Sequence, residues 1–218
     1  MNTLTKLALG LMGQLTPRPV RGDAAKTVKL PKPRTRGGLP LMQALAGRES
    51  HRDFAPDALP RPELSDLLWA AAGINRAGLG GRTAPSAMNA QEIDLYVALP
   101  DGLYAYDPKA HALTLAVASD VRRVTGYQDF VDTAPLDLVY VADHARQKLV
   151  PAAQRQGFAY AAAGAMAQNV YLYCASAGLA TVIRGWLDAR SLGQAMGLGP
   201  DQQVLLAQTV GMPQRRPR

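Results

Sequence analysis

One cysteine, Cys174, and three widely separated histidines, His51, His111 and His144, are the chain's whole supply of soft ligands. That set allows no intrachain disulfide and no multi-cysteine metal site, and no two histidines have ligand spacing. A metal centre is therefore not expected. Cys174 stands between Tyr173 and Ala175, which reads as an inert buried thiol. Also missing are a Gly-x-Ser-x-Gly elbow, a Walker loop, a His-Glu-x-x-His helix and any internal repeat. No hydrolase or phosphotransferase chemistry is written in motifs. If the protein is an enzyme, a bound cofactor must supply its chemistry.

Charge is also scarce, at 19% of residues, while hydrophobic residues make up 48% of the 218. Such a length and composition fit one globular domain. A net charge of +7 invites a nucleic-acid reading, yet the excess sits at the two ends. Residues 1–38 carry Lys6, Arg18, Arg21, Lys26, Lys29, Lys32, Arg34 and Arg36 against Asp23 alone, and Arg215, Arg216 and Arg218 close the sequence. What lies between is mildly acidic. A basic tail on that body attracts anionic surfaces. No helix-turn-helix, zinc-finger or aromatic stacking pattern accompanies it, so nucleic acid is not an expected partner.

Two stretches raise the question of a membrane. Leu7 to Met12 follows Lys6 as a secretion signal would, but Gly10 and Gly13 break the run and no small-x-small cleavage site follows. A cytoplasmic protein is expected, with a degenerate export signal as the alternative. Phe158 to Ile183 contains no charged residue. Its many alanines, Gln168, Asn169, Ser176 and three tyrosines make insertion marginal. A helix over about Gly157–Ala177, stopped by Gly178, is expected instead to span the core or a subunit interface. No transmembrane span is expected.

The pattern divides the chain into a basic flexible or surface-draped extension (1–38), an ordered domain (39–214) and a basic tail (215–218). Leu41, Met42 and Leu45 have helical spacing before Gly47. Pro62 to Ala72 places Leu64, Leu67, Leu68 and Ala71 on one helical face. From Ile93 to Leu99 the period becomes two, as in a half-buried strand. Further strands are expected at 103–106, 113–117, 136–142, 181–183 and 204–210, with short helices at 120–125 and 127–131. Strands and helices mix without strict βαβ alternation, so the fold class is α+β.

Three segments can carry chemistry. In extended Arg48-Glu49-Ser50-His51-Arg52, alternate positions share a face, so Arg48, Ser50 and Arg52 would present two guanidinium groups and a hydroxyl to a phosphate. Read alone, the same stretch is sooner a solvated loop with Glu49 loosely paired to Arg52. Asn89, in Ala84-Pro85-Ser86-Ala87-Met88-Asn89, offers a donor and an acceptor suited to a flavin pyrimidine edge; alone, it is a polar residue before a strand. Ile183-Arg184-Gly185-Trp186 could turn bare backbone N–H groups toward a flat ring.

Taken in order, these motifs resemble the nitroreductase family of flavoproteins. The resemblance runs from about Leu30 to Pro213. It includes Arg-x-Ser-x-Arg-x-Phe, Leu68-Trp69-Ala70-Ala71-Ala72-Gly73-Ile74-Asn75, Arg82-Thr83-Ala84-Pro85-Ser86, Gln168-Asn169 and the closing Val210-Gly211-Met212-Pro213. The wording is most similar to the azoline-dehydrogenase-like branch.

The resemblance implies a mixed or antiparallel sheet flanked by helices, two interlocked subunits, and FMN at their interface. It implies Arg48 and Ser50 at the phosphate, Arg52 toward the ring, and Asn89 at the pyrimidine edge. Backbone at Arg184 and Gly185 would face the ring, with Arg215 returning to the phosphate. NAD(P)H would be the co-substrate and a nitro or quinone-type small molecule the acceptor, in alternating half-reactions. The flavin carries the hydride, so no catalytic protein residue is implied. An azoline-oxidising dehydrogenase and a non-catalytic flavin-binding sensor are the alternatives. Glu49 stands where many relatives have Arg or His. Arg184 stands where many are acidic or neutral, and its guanidinium at the pyrimidine edge would favour the reduced flavin.

Overall fold

The computed structural model describes residues 1–20 and 25–214. In chain order the elements are α1 (Thr3–Leu11), β1 (Arg18–Pro19), β2 (Thr27–Lys29), α2 (Leu41–Gly47), α3 (Arg61–Ala72), β3 (Ile74–Arg76), β4 (Gly81–Arg82), β5 (Ile93–Leu99), β6 (Gly102–Asp107), β7 (Ala112–Val117), β8 (Ser119–Asp120), β9 (Leu136–Asp143), α4 (Ala152–Ala177), β10 (Ala180–Arg184), α5 (Ala189–Ala195) and β11 (Gln202–Gly211). Seven strands form one sheet in the order β10-β11-β9-β5-β6-β7-β2, and every pairing in it is antiparallel. The fold is α+β, as expected.

Strand period explains how the sheet is covered. On β9, Leu136, Leu138, Tyr140 and Ala142 join the cluster under α3 and α4, while Val139 and Val141 join a second cluster with Leu192 and Met196 beyond the other face. Each residue from Leu136 to Ala142 is buried, as a strand covered on both sides must be. From α3 the buried Leu64, Leu67, Leu68 and Ala71 meet the first face, as their spacing predicts. The alanines at 159, 162, 163 and 167 let α4 approach the sheet closely. Gly178, at φ +69, ends α4 in the left-handed conformation, and the Leu179 amide closes the turn onto the Cys174 carbonyl at 2.9 Å. Cys174 is buried, as read from its neighbours.

Three sequence expectations change. Order does not begin at Leu39: β2 is the last strand of the main sheet, paired with β7, and α1 docks on the body. The reason is that α1 is inside-out. Its only buried residue is Lys6, while Leu4, Leu11 and Met12 are exposed, so apolar periodicity could not reveal it. Second, α4 starts at Ala152 rather than near Gly157, because Pro151 supplies the break. Third, α2 forms where expected but buries only Ala44, leaving Leu41, Met42 and Leu45 exposed. Among the described residues, no helix is long and apolar enough to cross a membrane.

Candidate functional site

Strand β10 is the sheet's terminal strand, so its outer edge has no strand partner within the sheet. The segment after α2 runs along that edge. Arg48 is extended (φ −68, ψ 119), and the His51 amide donates to the Thr181 carbonyl at 3.0 Å. The alternation expected of 48–52 is visible in its contacts. His51 Nε2 and Glu49 Oε1 pair at 3.1 Å on one side, so Glu49 is engaged with His51 and not with Arg52. On the other side, the Arg48 guanidinium lies 5.2 Å from the centre of the Tyr171 ring, and Ser50 Oγ is 2.8 Å from Tyr171 Oη. Neither Arg48 nor Arg52 forms an ion pair among the described residues.

Tyr171 joins these parts and was not singled out from the sequence. Its hydroxyl accepts the Ile183 amide of β10 at 3.0 Å. Donating its own proton to Ser50 Oγ then satisfies the phenol and leaves the Ser50 proton for a ligand. The signal was a tyrosine in the alanine-rich, charge-free stretch from Phe158 to Ile183: a phenol buried there needs a partner for its hydroxyl.

Beyond Ile183 the strand leads to Gly185 and Trp186, both exposed. A Cβ added to Gly185 would meet only Leu206 Cδ2, at 3.6 Å. The protein's own packing therefore does not require glycine there, and the bare backbone leaves room for a flat group above it. Cations without an ion pair among the described residues, the Ser50 hydroxyl and this open backbone fit a phosphorylated, planar cofactor such as FMN.

Arg184 does not reach that side. Its guanidinium is buried on the opposite face of the sheet, with Nη2 2.5 Å from Asp137 Oδ1 and 2.9 Å from Thr209 Oγ1, and Nη1 2.7 Å from the Thr125 carbonyl. Burial drives the arginine's pKa down, Asp137 opposing it, and drives that of Asp137 up, with Arg184 opposing. A guanidinium at the flavin edge is thus corrected: side chains alternate along β10, and 184 has the parity of the rear face. Only its backbone remains available to a cofactor.

Asn89 is exposed at φ +52, and its Oδ1 accepts from Gln91 Nε2 at 3.1 Å, leaving its amide NH2 group outward. Gln91 is itself fixed by Arg82 Nε at 2.9 Å and by the Gly80 carbonyl at 2.9 Å. Asn169 of α4 donates to the Thr83 carbonyl of this loop at 3.3 Å. Asn169 and Tyr171 are two positions apart, about 200° around a helix axis. Helix α4 therefore carries the Asn89 loop and the Arg48–Ser50 segment on different sides, and no hydrogen bond among the described residues joins the two. Arg215 lies outside the described residues. Gln214, the last residue before it, donates its amide to the Asp53 carbonyl at 3.2 Å. Among the described residues no cluster of His, Cys, Asp or Glu could hold a metal.

The fold and this edge define a class. The Nitroreductase family matches residues 45–212. A Methanocaldococcus jannaschii protein with a provisional nitroreductase name is 31% identical over 155 residues, covering 66% of this chain and 78% of that protein. A crystal structure of a provisionally named nitroreductase from Ralstonia eutropha JMP134 superposes with a TM-score of 0.89 at 53% identity, covering 93% of this chain and 96% of that one. The NADPH:FMN oxidoreductase of Vibrio harveyi, solved with NAD+, shares the fold at 21% identity and a TM-score of 0.58, with 82% and 72% covered. The chain belongs to the nitroreductase family. It is an oxidoreductase of the flavin-dependent kind.

Proposed function

We propose that the protein is an FMN-dependent NAD(P)H oxidoreductase that reduces nitro or quinone-type small molecules as a homodimer. The observation that carries this reading is the Arg48–Ser50–Tyr171 cluster on the edge of β10, where cations without a counter-ion among the described residues stand beside open backbone. Bound FMN would supply the redox chemistry, accepting hydride from NAD(P)H and passing it to the acceptor. The chain's own residues bind and orient. Arg48 and the Ser50 hydroxyl take the phosphate, Arg52 turns toward the ring, and Arg215 adds a further cation at the phosphate. Backbone at Arg184 and Gly185 faces the ring, and the free amide of Asn89 meets a pyrimidine edge. No protein acid or base is required.

The placement of Asn89 favours a site shared by two subunits, one contributing residues 48–52 and β10, the other its 85–89 loop. Leu41, Met42 and Leu45 on α2 and Phe158 and Tyr160 on α4 leave a large apolar surface exposed in one protomer, which a second copy would bury. The experiment is titration of apo-protein with FMN, followed by flavin fluorescence. One flavin per subunit is expected. Losing one charge-assisted contact worth about 1.5–3 kcal/mol, Arg48→Ala should weaken binding about ten- to a hundredfold. Unchanged affinity in that variant would remove the phosphate assignment. An FMN-loaded monomer at micromolar concentration in sedimentation equilibrium would remove the shared site. Steady NAD(P)H consumption with a quinone separates an enzyme from a non-catalytic flavin binder.

A further inference from the structure

Three of the four non-glycine residues with positive φ among the described residues fall in one short run: Met88 at +54, Asn89 at +52 and Gln91 at +50. Asparagine tolerates this region. Methionine and glutamine enter it at a cost, and stay only where their surroundings hold them. Gln91 is what holds the run. Its backbone amide donates to Ser86 Oγ at 2.9 Å, and its carbonyl accepts from Arg146 Nη1 at 2.8 Å. Arg146 is itself anchored by ion pairs to Asp94 and Asp143. The Gln91 side-chain oxygen accepts from Arg82 Nε at 2.9 Å. Its Nε2 donates to the Gly80 carbonyl at 2.9 Å and to Asn89 Oδ1 at 3.1 Å. Each donor and acceptor that a glutamine possesses is thus in use.

These bonds fix a polarity. A guanidinium only donates and a backbone carbonyl only accepts, so Gln91 must turn its side-chain oxygen to Arg82 and its nitrogen to Gly80 and Asn89. Asn89 must then meet that nitrogen with its own oxygen. The relay from Arg82 through Gln91 to Asn89 therefore runs donor to acceptor in one direction, and it ends on the outward NH2 group of Asn89.

We infer that Gln91 and Arg82 are positioning residues, which lock Asn89 as a hydrogen-bond donor to the group it meets. This inference rests on the FMN reading above. Along a flavin pyrimidine edge N1 and the C2 and C4 carbonyls accept, while N3 carries a hydrogen. A locked donor meets one of the acceptors and is turned away by N3–H. Reduction leaves the ring richer in electrons at those acceptors, so a donor fixed in advance binds reduced FMN more tightly than oxidised FMN. An amide free to turn over would present its oxygen as readily as its nitrogen and lose that preference.

The test is the midpoint potential of FMN-loaded protein, with flavin content and thermal midpoint recorded for every variant. Gln91→Met removes the donor that holds Asn89 Oδ1 and changes no charge. The ratio of affinities for reduced over oxidised FMN should fall about three- to tenfold, a drop of about 15–30 mV for a two-electron couple. Arg82→Met, which frees the Gln91 amide to turn, should lower the ratio about two- to threefold. Arg82→Lys, which still donates to the Gln91 oxygen, should restore most of that. On an Asn89→Ala background the Gln91→Met shift should vanish, because Asn89 is the group through which Gln91 acts. A Gln91→Met potential equal to wild type, or a shift of the same size with and without Asn89, overturns the inference while leaving the flavin reading intact. Where Gln91→Met does not fold, the Arg82 pair decides: equal potentials in Arg82→Met and Arg82→Lys overturn it. A wild-type protein that takes no FMN removes the flavin reading, and the inference with it.

Discussion

On the face of the sheet under α3 and α4, β9 presents Leu136, Leu138, Tyr140 and Ala142 to an apolar cluster that takes in Leu67, Leu68 and Ile93. On the rear face the same strand presents Asp137, wholly buried against Arg184. Lys6 and Asp132, 2.7 Å apart, and Arg122 and Asp120, 2.8 Å apart, are buried on further elements outside the helix layer. One face is held by area removed from water, non-directional and tolerant of reshaping. The other adds, to an apolar cluster of its own, buried charges that are costly to desolvate and must be met by specific partners at specific distances. The candidate cofactor edge lies where the two regimes meet. Ile183 faces the Tyr171 side, and Arg184, the next residue, faces the ionic side.

The sharpest way to break this comparison is to remove one charge. Arg184→Leu leaves Asp137 buried without its counter-ion and should cost about 3–5 kcal/mol in urea unfolding. Adding Asp137→Leu should recover most of that loss. The native pair is imperfect already, with Asp137 Oδ2 and Arg184 Nε lacking hydrogen-bond partners among the described residues, and apolar replacement of both charges removes the desolvation cost. Across the sheet, Leu138→Ala should cost a similar amount, about 2–5 kcal/mol, by leaving a cavity. There, truncating a neighbour as well should deepen the loss. If Arg184→Leu alone proves as stable as wild type within about 1 kcal/mol, the rear face is not held by ion pairs.

The same division explains what the sequence made legible. The strands of the main sheet from Ile93 to Val210 and the helix at 62–72 follow from periodicity, because apolar burial leaves a repeating mark on every element it uses. Arg48, Ser50 and Arg52 were read as one face of an extended segment, and the contacts of Arg48 and Ser50 with Tyr171 match that alternation. The docking of α1 was not legible. It depends on a lysine reaching carbonyls at 126 and 128, and neither partner leaves a periodic mark near residue 6. For Arg184, motif likeness suggested a backbone position on β10 and left the guanidinium's direction open, because strand parity sets that direction, here to the rear face. Tyr171 was missed for a related reason: its partners, Ser50 and the Ile183 amide, come from elsewhere in the chain.

A smaller effect sharpens the contrast, since the helix-bearing face has polar latches of its own. Ser65 of α3 donates its hydroxyl proton to the Pro31 carbonyl at 2.5 Å, and His111 Nε2 lies 2.7 Å from Ser65 Oγ. Nε2 must then carry the imidazole proton, and Nδ1 accepts from the Tyr106 hydroxyl at 2.9 Å. The neutral ring uses both nitrogens, so a second proton has to displace a bond. Burial, opposed by the Pro31 carbonyl and Asp66, lowers the pKa of His111 from its ordinary 6.5. The sign follows. Between that lowered value and 6.5 the unfolded chain binds the proton and the folded chain does not, so this group's contribution to stability falls as the pH drops through the window. One proton limits the slope to about 1.4 kcal/mol per pH unit, and partial exposure keeps it below that limit. His111 also sits at φ +47, which asparagine tolerates better than most side chains. His111→Asn should therefore fold and flatten the dependence. Urea midpoints measured from pH 7 down to pH 5 should converge for the two proteins toward acid, the variant starting lower. Parallel curves would mean that the latch holds residues 30 and 31 against α3 without titrating.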